Sequence, residues 1–283
     1  MGDVLIFGCG YLGRRVAERY RAEGHRVHAA TRSHARAAEF RAAGLTPVLC
    51  DVTDPSSLEN LPAAETVVHC VGLDRGSGQS MREVYVAGLA NVLARLPAPR
   101  RLVYVSSTSV YGQRDGEEVD EAAATELGEE SGRVVLEAEA VLRSSLPGSV
   151  ILRFAAIYGP GRLLRAQAVR AGQPLACDPE RWLNLIHVED GAAAVLAAAG
   201  RGLPGAVYNV SDGHPVRRHD FYTHLAGLLG APPPRFVLPE QCATPPHELA
   251  HRRILSPRLC LELGLSLRYP GYEVGLEASC GGA

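Results

Sequence analysis

Lysine is missing from this chain of 283 residues, so all 29 of its basic side chains are arginine. No side-chain ammonium group is therefore available to any site in the protein. Acidic side chains number 31, which nearly balances the arginines, and no block of like charge occurs. This balance argues against a nucleic-acid partner and against an anionic membrane surface as a partner.

Long apolar runs and paired cysteines are also missing. No stretch approaches 18 consecutive apolar residues, and the first residues contain no basic leader with a cleavage site. We therefore expect a cytoplasmic protein without a membrane segment. Seven cysteines are scattered without a Cys-x-x-Cys pair or metal-ligand spacing, which favours free thiols and predicts no metal site.

A glycine-rich turn lies near the start of the chain, between the apolar run 4–7 and a segment with a helical pattern. Strand, glycine turn and helix in this order predict a dinucleotide site. Gly8 would make the tight turn, Gly10 would let the backbone approach the pyrophosphate, and Gly13 would let helix and strand pack closely. An ordinary glycine-rich turn is the alternative. The expected cofactor-binding residues of this turn are Gly8, Gly10, Tyr11, Leu12 and Gly13.

The ends of the next two strands bear on the choice of cofactor. Arg32 stands where NAD-selective proteins usually carry an acidic residue for the ribose 2′-hydroxyl. An arginine there can grip a 2′-phosphate, with Ser33 as a helper, so NADP is favoured over NAD. A solvated Arg32 stacked on the adenine is the alternative. Asp51 and Val52 are expected near the adenine, although Asp51 can equally cap the next helix.

Short β-rich runs alternate with helical patterns through the first half of the chain. This alternation predicts an α/β fold with a Rossmann-type, doubly wound parallel sheet. After about residue 155 the alternation breaks and proline and glycine become frequent. We expect an NAD(P)-binding domain at 1–155 and a smaller C-terminal substrate lobe at 156–283, partly interleaved with it. The predicted strands are 4–7, 25–32, 46–51, 66–71, 101–107 and 149–154, and the clearest helices are 81–96 and 134–145.

Several motifs together resemble the extended short-chain dehydrogenase/reductases, also called the NAD-dependent epimerase/dehydratase superfamily. The resemblance runs through nearly the whole chain, and its ending is similar to the short, atypical branch of that superfamily. These motifs are specific for the superfamily, but none is specific for a substrate. Besides the glycine turn, they are the segments 105–112, 152–154, 157–161, 186–190, 208–212, 261–264 and 269–270.

The resemblance implies a catalytic Tyr-x-x-x-Lys pair that this chain lacks. Alignment of the helix around residues 131–139 puts Ser131 at the tyrosine position and Val135 at the lysine position. Ser107 matches the family's catalytic Ser/Thr, with Thr108 beside it, although both hydroxyls can instead cap the strand end. Tyr85 stands where typical members have an asparagine. It is a candidate replacement acid, with space filling beside the sheet as the alternative.

The resemblance also places four residues on the substrate side, namely Arg153, Tyr158, Arg162 and His187. An arginine there can bind an anionic substrate through two hydrogen bonds, or remain a solvated loop charge. His187 can touch the substrate, or hold the structure together by donating to a carbonyl or to Asp190.

The implied function is an NAD(P)-binding oxidoreductase, epimerase or dehydratase with a non-standard proton-transfer site. Its substrate would be a small hydroxyl or carbonyl compound, with nucleotide sugars among the candidates. Two alternatives stay open: a non-catalytic NADP-binding redox sensor or regulator, and an elimination or cyclisation enzyme of secondary metabolism. A homodimer through the helices that flank the Ser131 segment is expected from the family.

Overall fold

The computed structural model describes residues 2–125, 129–238 and 250–281. Short turns of 3-10 helix occur at Pro55–Leu58 and Thr108–Val110, and a turn of π-helix occurs at Glu83–Ala87. The strands of the described ranges are β1 (Asp3–Phe7), β2 (Arg26–Thr31), β3 (Thr46–Leu49), β4 (Thr66–His69), β5 (Arg101–Ser107), β6 (Glu117–Val119), β7 (Val150–Phe154), β8 (Ala156–Tyr158), β9 (Leu175–Ala176), β10 (Trp182–Leu183), β11 (Leu185–His187), β12 (Val207–Val210), β13 (Val216–Arg217), β14 (Phe236–Val237) and β15 (Arg252–Ile254). The α-helices are α1 (Tyr11–Ala22), α2 (His34–Ala42), α3 (Gly88–Arg95), α4 (Glu130–Ser145), α5 (Ala166–Arg170), α6 (Val188–Arg201), α7 (Arg218–Leu228), α8 (Pro257–Leu261) and α9 (Tyr272–Cys280).

Seven strands form one parallel sheet in the order β12-β7-β5-β4-β1-β2-β3. The chain builds outward from β1 to β3, returns to the other side of β1, and continues through β4, β5 and β7. The strand order therefore reverses between β1 and β4, which is where open α/β sheets bind dinucleotides. The predicted Rossmann-type fold is confirmed.

Two helical layers cover the sheet, as the alternation of side chains along β1 requires. Val4 and Ile6 point to the face covered by α1 and α6, and Leu5 and Phe7 point to the face covered by α3 and α4. All four of these side chains are buried. The carboxyl end of β1 is thus fixed from both sides, and it holds the glycine turn in place.

The second half of the chain contributes to this sheet as well as to a smaller body. Strand β12 pairs with β7, and α6 packs against α1. A separate apolar cluster joins α7 and α9, with Tyr158 and Phe221 at its centre. None of the helices within the described ranges is long and apolar enough to span a membrane.

Candidate functional site

A cavity of about 860 Å³ lies at the carboxyl ends of the parallel strands. The residues that follow β1, β2, β3 and β4 line it, together with the last residues of β5 and those after β7. It therefore extends along the edge of the sheet on both sides of the reversal point, which is the shape that an extended dinucleotide needs.

The glycine turn forms the middle of the cavity wall, and each glycine has a separate reason to be there. Gly8 has φ +81°, and a Cβ atom on it would lie 2.3 Å from the Cys70 carbonyl oxygen. A Cβ atom on Gly13 would lie 2.5 Å from the Gly8 carbonyl oxygen. At Gly10 the nearest such atom is 4.0 Å away, so this backbone faces open space. No side chain caps the start of α1, which leaves its first N–H groups for an anion.

Arg32 lies at one end of the cavity, and its guanidinium group is about half exposed. It donates to Gln79 Oε1 at 3.2 Å and to Asp74 Oδ2 at 3.4 Å, and it lies 3.8 Å from Asp51 Oδ2. Arg36 also lines this end, and our sequence analysis missed it. The available signal was its position in the first turn of the helix that follows β2.

The neighbouring residues of this end are held by local hydrogen bonds. Ser33 caps α2 by accepting the Arg36 backbone N–H at 3.3 Å, and it also lines the cavity. Asp51 accepts the Thr53 backbone N–H and hydroxyl at 2.9 and 2.8 Å. Asp51 and Val52 both line the cavity. The alternative that Asp51 caps the next helix is wrong, because Asp54 caps that turn.

Tyr85 also lines the cavity, on the π-helical turn. Single π turns of this kind recur at functional sites, because they re-aim a side chain within a helix. The Tyr85 hydroxyl oxygen accepts the Leu73 backbone N–H at 2.9 Å. This bond uses a lone pair, so the hydroxyl proton is left to donate to a bound molecule. Tyr104 lines the cavity as well, and burial raises the pKa of its hydroxyl.

The structure separates the two hydroxyls after β5. Ser107 lines the cavity, and its Oγ accepts the Ser109 backbone N–H at 3.1 Å, so its own proton is left to donate. Thr108 is buried in the following 3-10 turn and does not line the cavity. Val135 lines the cavity from α4, whereas Ser131 does not. An apolar side chain therefore occupies the wall where the resemblance implies a lysine.

Three of the residues expected on the substrate side lie elsewhere. Arg153 is 5% exposed, off the cavity, and donates two hydrogen bonds to the Glu139 carboxylate at 3.0 and 2.7 Å. Tyr158 is fully buried in the core beneath α9, where burial raises the pKa of its hydroxyl. Neither side chain reaches a ligand in this cavity, because Arg153 is buried against the Glu139 carboxylate and Tyr158 is buried in an apolar cluster.

His187 is also buried and off the cavity. Its Nδ1 accepts the Glu189 backbone N–H at 3.3 Å at the start of α6, and its Nε2 lies 3.3 Å from Ser279 Oγ. His187 therefore joins the start of α6 to α9, but it does not make the expected contact with Asp190. That carboxylate accepts the backbone N–H groups of Arg268 and Tyr269 instead.

Arg162 is the residue of that group that does line the cavity. Its guanidinium carbon lies 5.3 Å from the centre of the Tyr11 ring, and that of Arg15 lies 4.4 Å from the same ring. The Tyr11 hydroxyl donates to the Pro160 carbonyl at 3.0 Å. The glycine turn is thus joined to the 159–162 turn on the other side of the cavity.

The described residues contain no group of three or more His, Cys, Asp or Glu side chains placed to hold a metal ion. Three kinds of group on the cavity wall can act on a ligand: the arginines, the uncapped N–H groups at the start of α1, and the hydroxyls of Tyr85 and Ser107.

Comparison with known proteins identifies the family of the chain. Residues 4–211 match the family model described as "NAD dependent epimerase/dehydratase family". The chain is 34% identical to Protein YeeZ of Escherichia coli (strain K12), over 95% of this chain and 97% of that protein. It is 30% identical to a 4-hydroxy-2-methyl-3-oxo-4-farnesyl-3,4-dihydroquinoline-1-oxide ketoreductase of Stigmatella aurantiaca, over 81% and 74%. A solved structure of a putative NAD-dependent epimerase/dehydratase from Methylobacillus flagellatus has a TM-score of 0.79 and 34% identity, over 99% and 98%.

Proposed function

The chain belongs to the NAD-dependent epimerase/dehydratase family, and from that premise we propose that it is an NADP-dependent reductase of a small carbonyl compound. One observation carries the proposal: a single cavity is lined by Arg32 and Arg36 and also by the hydroxyl-bearing side chains of Tyr85 and Ser107. The Stigmatella protein, named as a ketoreductase, supports the same class of reaction.

Arg32 binds the 2′-phosphate of NADP, and Arg36 adds a second positive charge beside it. A phosphate can accept two parallel hydrogen bonds from a guanidinium group, which a ribose hydroxyl cannot do. Ser33 also lines this end and adds a hydroxyl. Asp51 and Val52 face the adenine.

When bound, NADPH would supply the hydride that reduces the carbonyl carbon. The Tyr85 hydroxyl donates the proton that the carbonyl oxygen needs, and Ser107 donates a hydrogen bond to the same oxygen. The Leu73 backbone N–H holds the Tyr85 oxygen in place during this transfer. Positioned acids of this kind accelerate proton transfer about 10²- to 10⁴-fold.

The choice of NADP is tested by Arg32→Glu. We expect this variant to weaken NADPH binding at least tenfold and NADH binding much less, since a charge-assisted hydrogen bond contributes about 1.5–3 kcal/mol. Calorimetric titration with both nucleotides measures the difference. Arg41→Glu is the matched control, because Arg41 is an exposed arginine of α2 away from the cavity. Equal losses for the two nucleotides in Arg32→Glu would contradict the assignment.

The role of Tyr85 is tested by Tyr85→Phe, which keeps the ring and removes the proton. We expect the turnover number for carbonyl reduction to fall about 10²-fold or more, with the dissociation constant for NADPH nearly unchanged. Stopped-flow oxidation of NADPH with a library of small ketones measures the rate. Tyr20→Phe is the control, since Tyr20 is buried away from the cavity. Full turnover in Tyr85→Phe would remove Tyr85 from the mechanism.

A second candidate is a non-catalytic NADP-binding sensor, which Val135 favours, because an apolar side chain stands at the wall where the family has an ammonium group. Tight and selective NADPH binding with no turnover across the ketone library would favour this candidate. We also propose that residues 156–283 supply the substrate side over residues 1–155. A cytoplasmic location and a homodimer stay predictions.

A further inference from the structure

Ser106 is a buried hydroxyl on the cavity wall that the proposed mechanism does not use. It lies on β5 beside Ser107, it is 6% exposed, and it lines the cavity. Its Oγ donates to Glu139 Oε1 at 2.6 Å, which is a short and charge-assisted hydrogen bond. Glu139 comes from α4 and is 2% exposed.

A buried ion pair fixes the direction of that bond. Arg153 Nε donates to Glu139 Oε1 at 3.0 Å and its Nη2 donates to Oε2 at 2.7 Å. Its Nη1 donates to the Tyr111 hydroxyl at 3.0 Å, and Tyr111 donates to Asn209 Oδ1 at 2.9 Å. Burial opposes the charge of Arg153, but the hydrogen bonds that it donates to Glu139 and Tyr111, together with the charge of Glu139, outweigh this effect and raise its pKa.

Donor and acceptor counts then give Ser106 a single role toward the cavity. A carboxylate paired with a guanidinium group has no proton to give, so Ser106 must be the donor in its bond with Glu139. A serine hydroxyl has one proton and two lone pairs. With the proton committed to Glu139, only lone pairs are left for a bound molecule. Ser106 is therefore an acceptor, whereas Tyr85 and Ser107 are donors.

The position of Ser106 selects one part of a dinucleotide. The glycine turn follows β1, Arg32 follows β2, and Asp51 follows β3. Ser106 lies on β5, two strands from β1 in the opposite direction, which is roughly 10 Å at the usual strand spacing. With the diphosphate at the glycine turn and the 2′-phosphate at Arg32, Ser106 falls in the other nucleoside half.

Val135 completes this part of the wall. It lies four residues before Glu139 on α4, so the two side chains share one face of the helix, and it lines the cavity without a polar atom. A ribose hydroxyl needs a hydrogen-bond partner when it leaves water. Val135 offers none, and Ser106 offers a lone pair from the neighbouring strand.

We propose that Ser106 binds the ribose next to the nicotinamide by accepting a hydrogen bond from one of its hydroxyls. Glu139 and Arg153 are positioning residues, because they keep the Ser106 proton turned away from the cavity. This assignment rests on the proposed function, since it needs the dinucleotide to lie along the sheet edge in the direction that Arg32 sets.

The test compares two ligands. NADPH carries the nicotinamide ribose, and 2′,5′-ADP carries the adenine end alone. We expect Ser106→Ala to weaken NADPH binding about fivefold to tenfold, the usual effect of one lost hydrogen bond, and to leave 2′,5′-ADP binding unchanged within twofold. Ser106→Thr, which keeps the hydroxyl, should bind NADPH within about twofold of wild type. Ser149→Ala is the matched control: Ser149 is also 6% exposed, and it lies off the cavity.

Glu139→Gln tests the direction of the bond. The Gln amide can donate to Ser106, so the serine proton is free to turn toward the cavity. A ribose hydroxyl can accept as well as donate, so we expect NADPH to bind more weakly than in wild type but more tightly than in Ser106→Ala, with 2′,5′-ADP binding unchanged. The double variant should bind NADPH no more weakly than Ser106→Ala. Damage to the fold would weaken both ligands, and that result would overturn the positioning role.

The outcomes separate this inference from the proposed function. If wild-type protein binds neither ligand, the proposed function fails and the Ser106 assignment fails with it. If wild-type protein binds both ligands and Ser106→Ala binds NADPH normally, the Ser106 assignment alone is overturned. An unchanged affinity for NADPH with a raised KM for the carbonyl substrate would move Ser106 to the substrate and would likewise overturn it.

Discussion

Asp212 is a carboxyl group that the fold buries without fully satisfying it. It is 3% exposed, and its Oδ1 accepts the His214 backbone N–H at 3.0 Å. Its Oδ2 has no hydrogen-bond partner among the described residues. Burial raises the pKa of this carboxyl to about 7, and the nearby negative charges of Glu273 and Asp190 act in the same direction. The folded protein therefore holds a proton there that the unfolded chain releases near pH 4.

This proton predicts a loss of stability as the pH rises. Between about pH 4 and pH 7 the folded state binds more protons than the unfolded state, so the free energy of unfolding falls with pH in that window. Asp212→Asn removes the ionisation and should be more stable than wild type at pH 8, by up to about 4 kcal/mol. Urea unfolding at a series of pH values measures the effect. Asp115→Asn, at an exposed aspartate, is the control, and parallel pH profiles for wild type and Asp212→Asn would refute the prediction.

The residues that the sequence analysis expected at the nucleotide all line the cavity, whereas three of the four expected on the substrate side do not. The glycine turn and Arg32 follow their strands directly, so the local sequence fixes where they lie. Arg153 and His187 lie within β7 and β11, and the direction of each side chain depends on a partner in a helix, Glu139 or Ser279. Nothing in the local sequence distinguishes a charge turned inward to such a partner from one that faces a ligand.

Helix α9 packs closely against the Tyr158 side chain at Gly275, so its packing is sensitive to the addition of a single methyl group. A Cβ atom on Gly275 would meet the Tyr158 hydroxyl at 1.9 Å and its ring carbons at 2.7 and 3.0 Å. Tyr158 is fully buried and its hydroxyl lies 3.5 Å from the Gly271 carbonyl, so the ring has little room to move.

We expect Gly275→Ala to destabilise the protein by about 1–3 kcal/mol, the usual cost of overfilling a packed interior. Gly227→Ala in α7 is the matched helical control, because a Cβ atom there meets nothing within 4 Å. It should stabilise the protein by about 0.5–1 kcal/mol through helix propensity. Denaturant unfolding of both variants measures the contrast, and two equal effects would count against this packing argument.

The elements of the first half were predictable because each has its own periodicity. The predicted strands 4–7 and 101–107 correspond closely to β1 and β5, and the helix predicted at 134–145 begins four residues earlier as α4. The sequence did not predict that β12 joins the same sheet. Its four residues carry a short apolar alternation, and pairing with β7 depends on contacts between residues over 50 positions apart.

Strand β12, from the second half of the chain, completes the sheet of the first half by pairing with β7. Removing residues 156–283 would leave β7 with an unpaired edge, and it would uncover the face of α1 that packs against α6. We expect a fragment that ends at residue 155 to aggregate or to lack a cooperative unfolding transition, because open edges and apolar faces associate. Size-exclusion chromatography and thermal unfolding, with the full chain as control, measure this. A monomeric fragment with a sharp transition would contradict the prediction.

The two arginines after β2, Arg32 and Arg36, have a consequence for how nucleotide binding would depend on pH. A guanidinium group keeps its charge across the pH range in which proteins stay folded, so the positive charges of Arg32 and Arg36 do not change with pH. A phosphate monoester takes on its second negative charge near pH 6. If NADP is the cofactor, mild acid therefore changes the charge of its 2′-phosphate and leaves the charges of Arg32 and Arg36 unchanged. The part of the binding free energy that comes from these two arginines would then follow the ionisation of the phosphate.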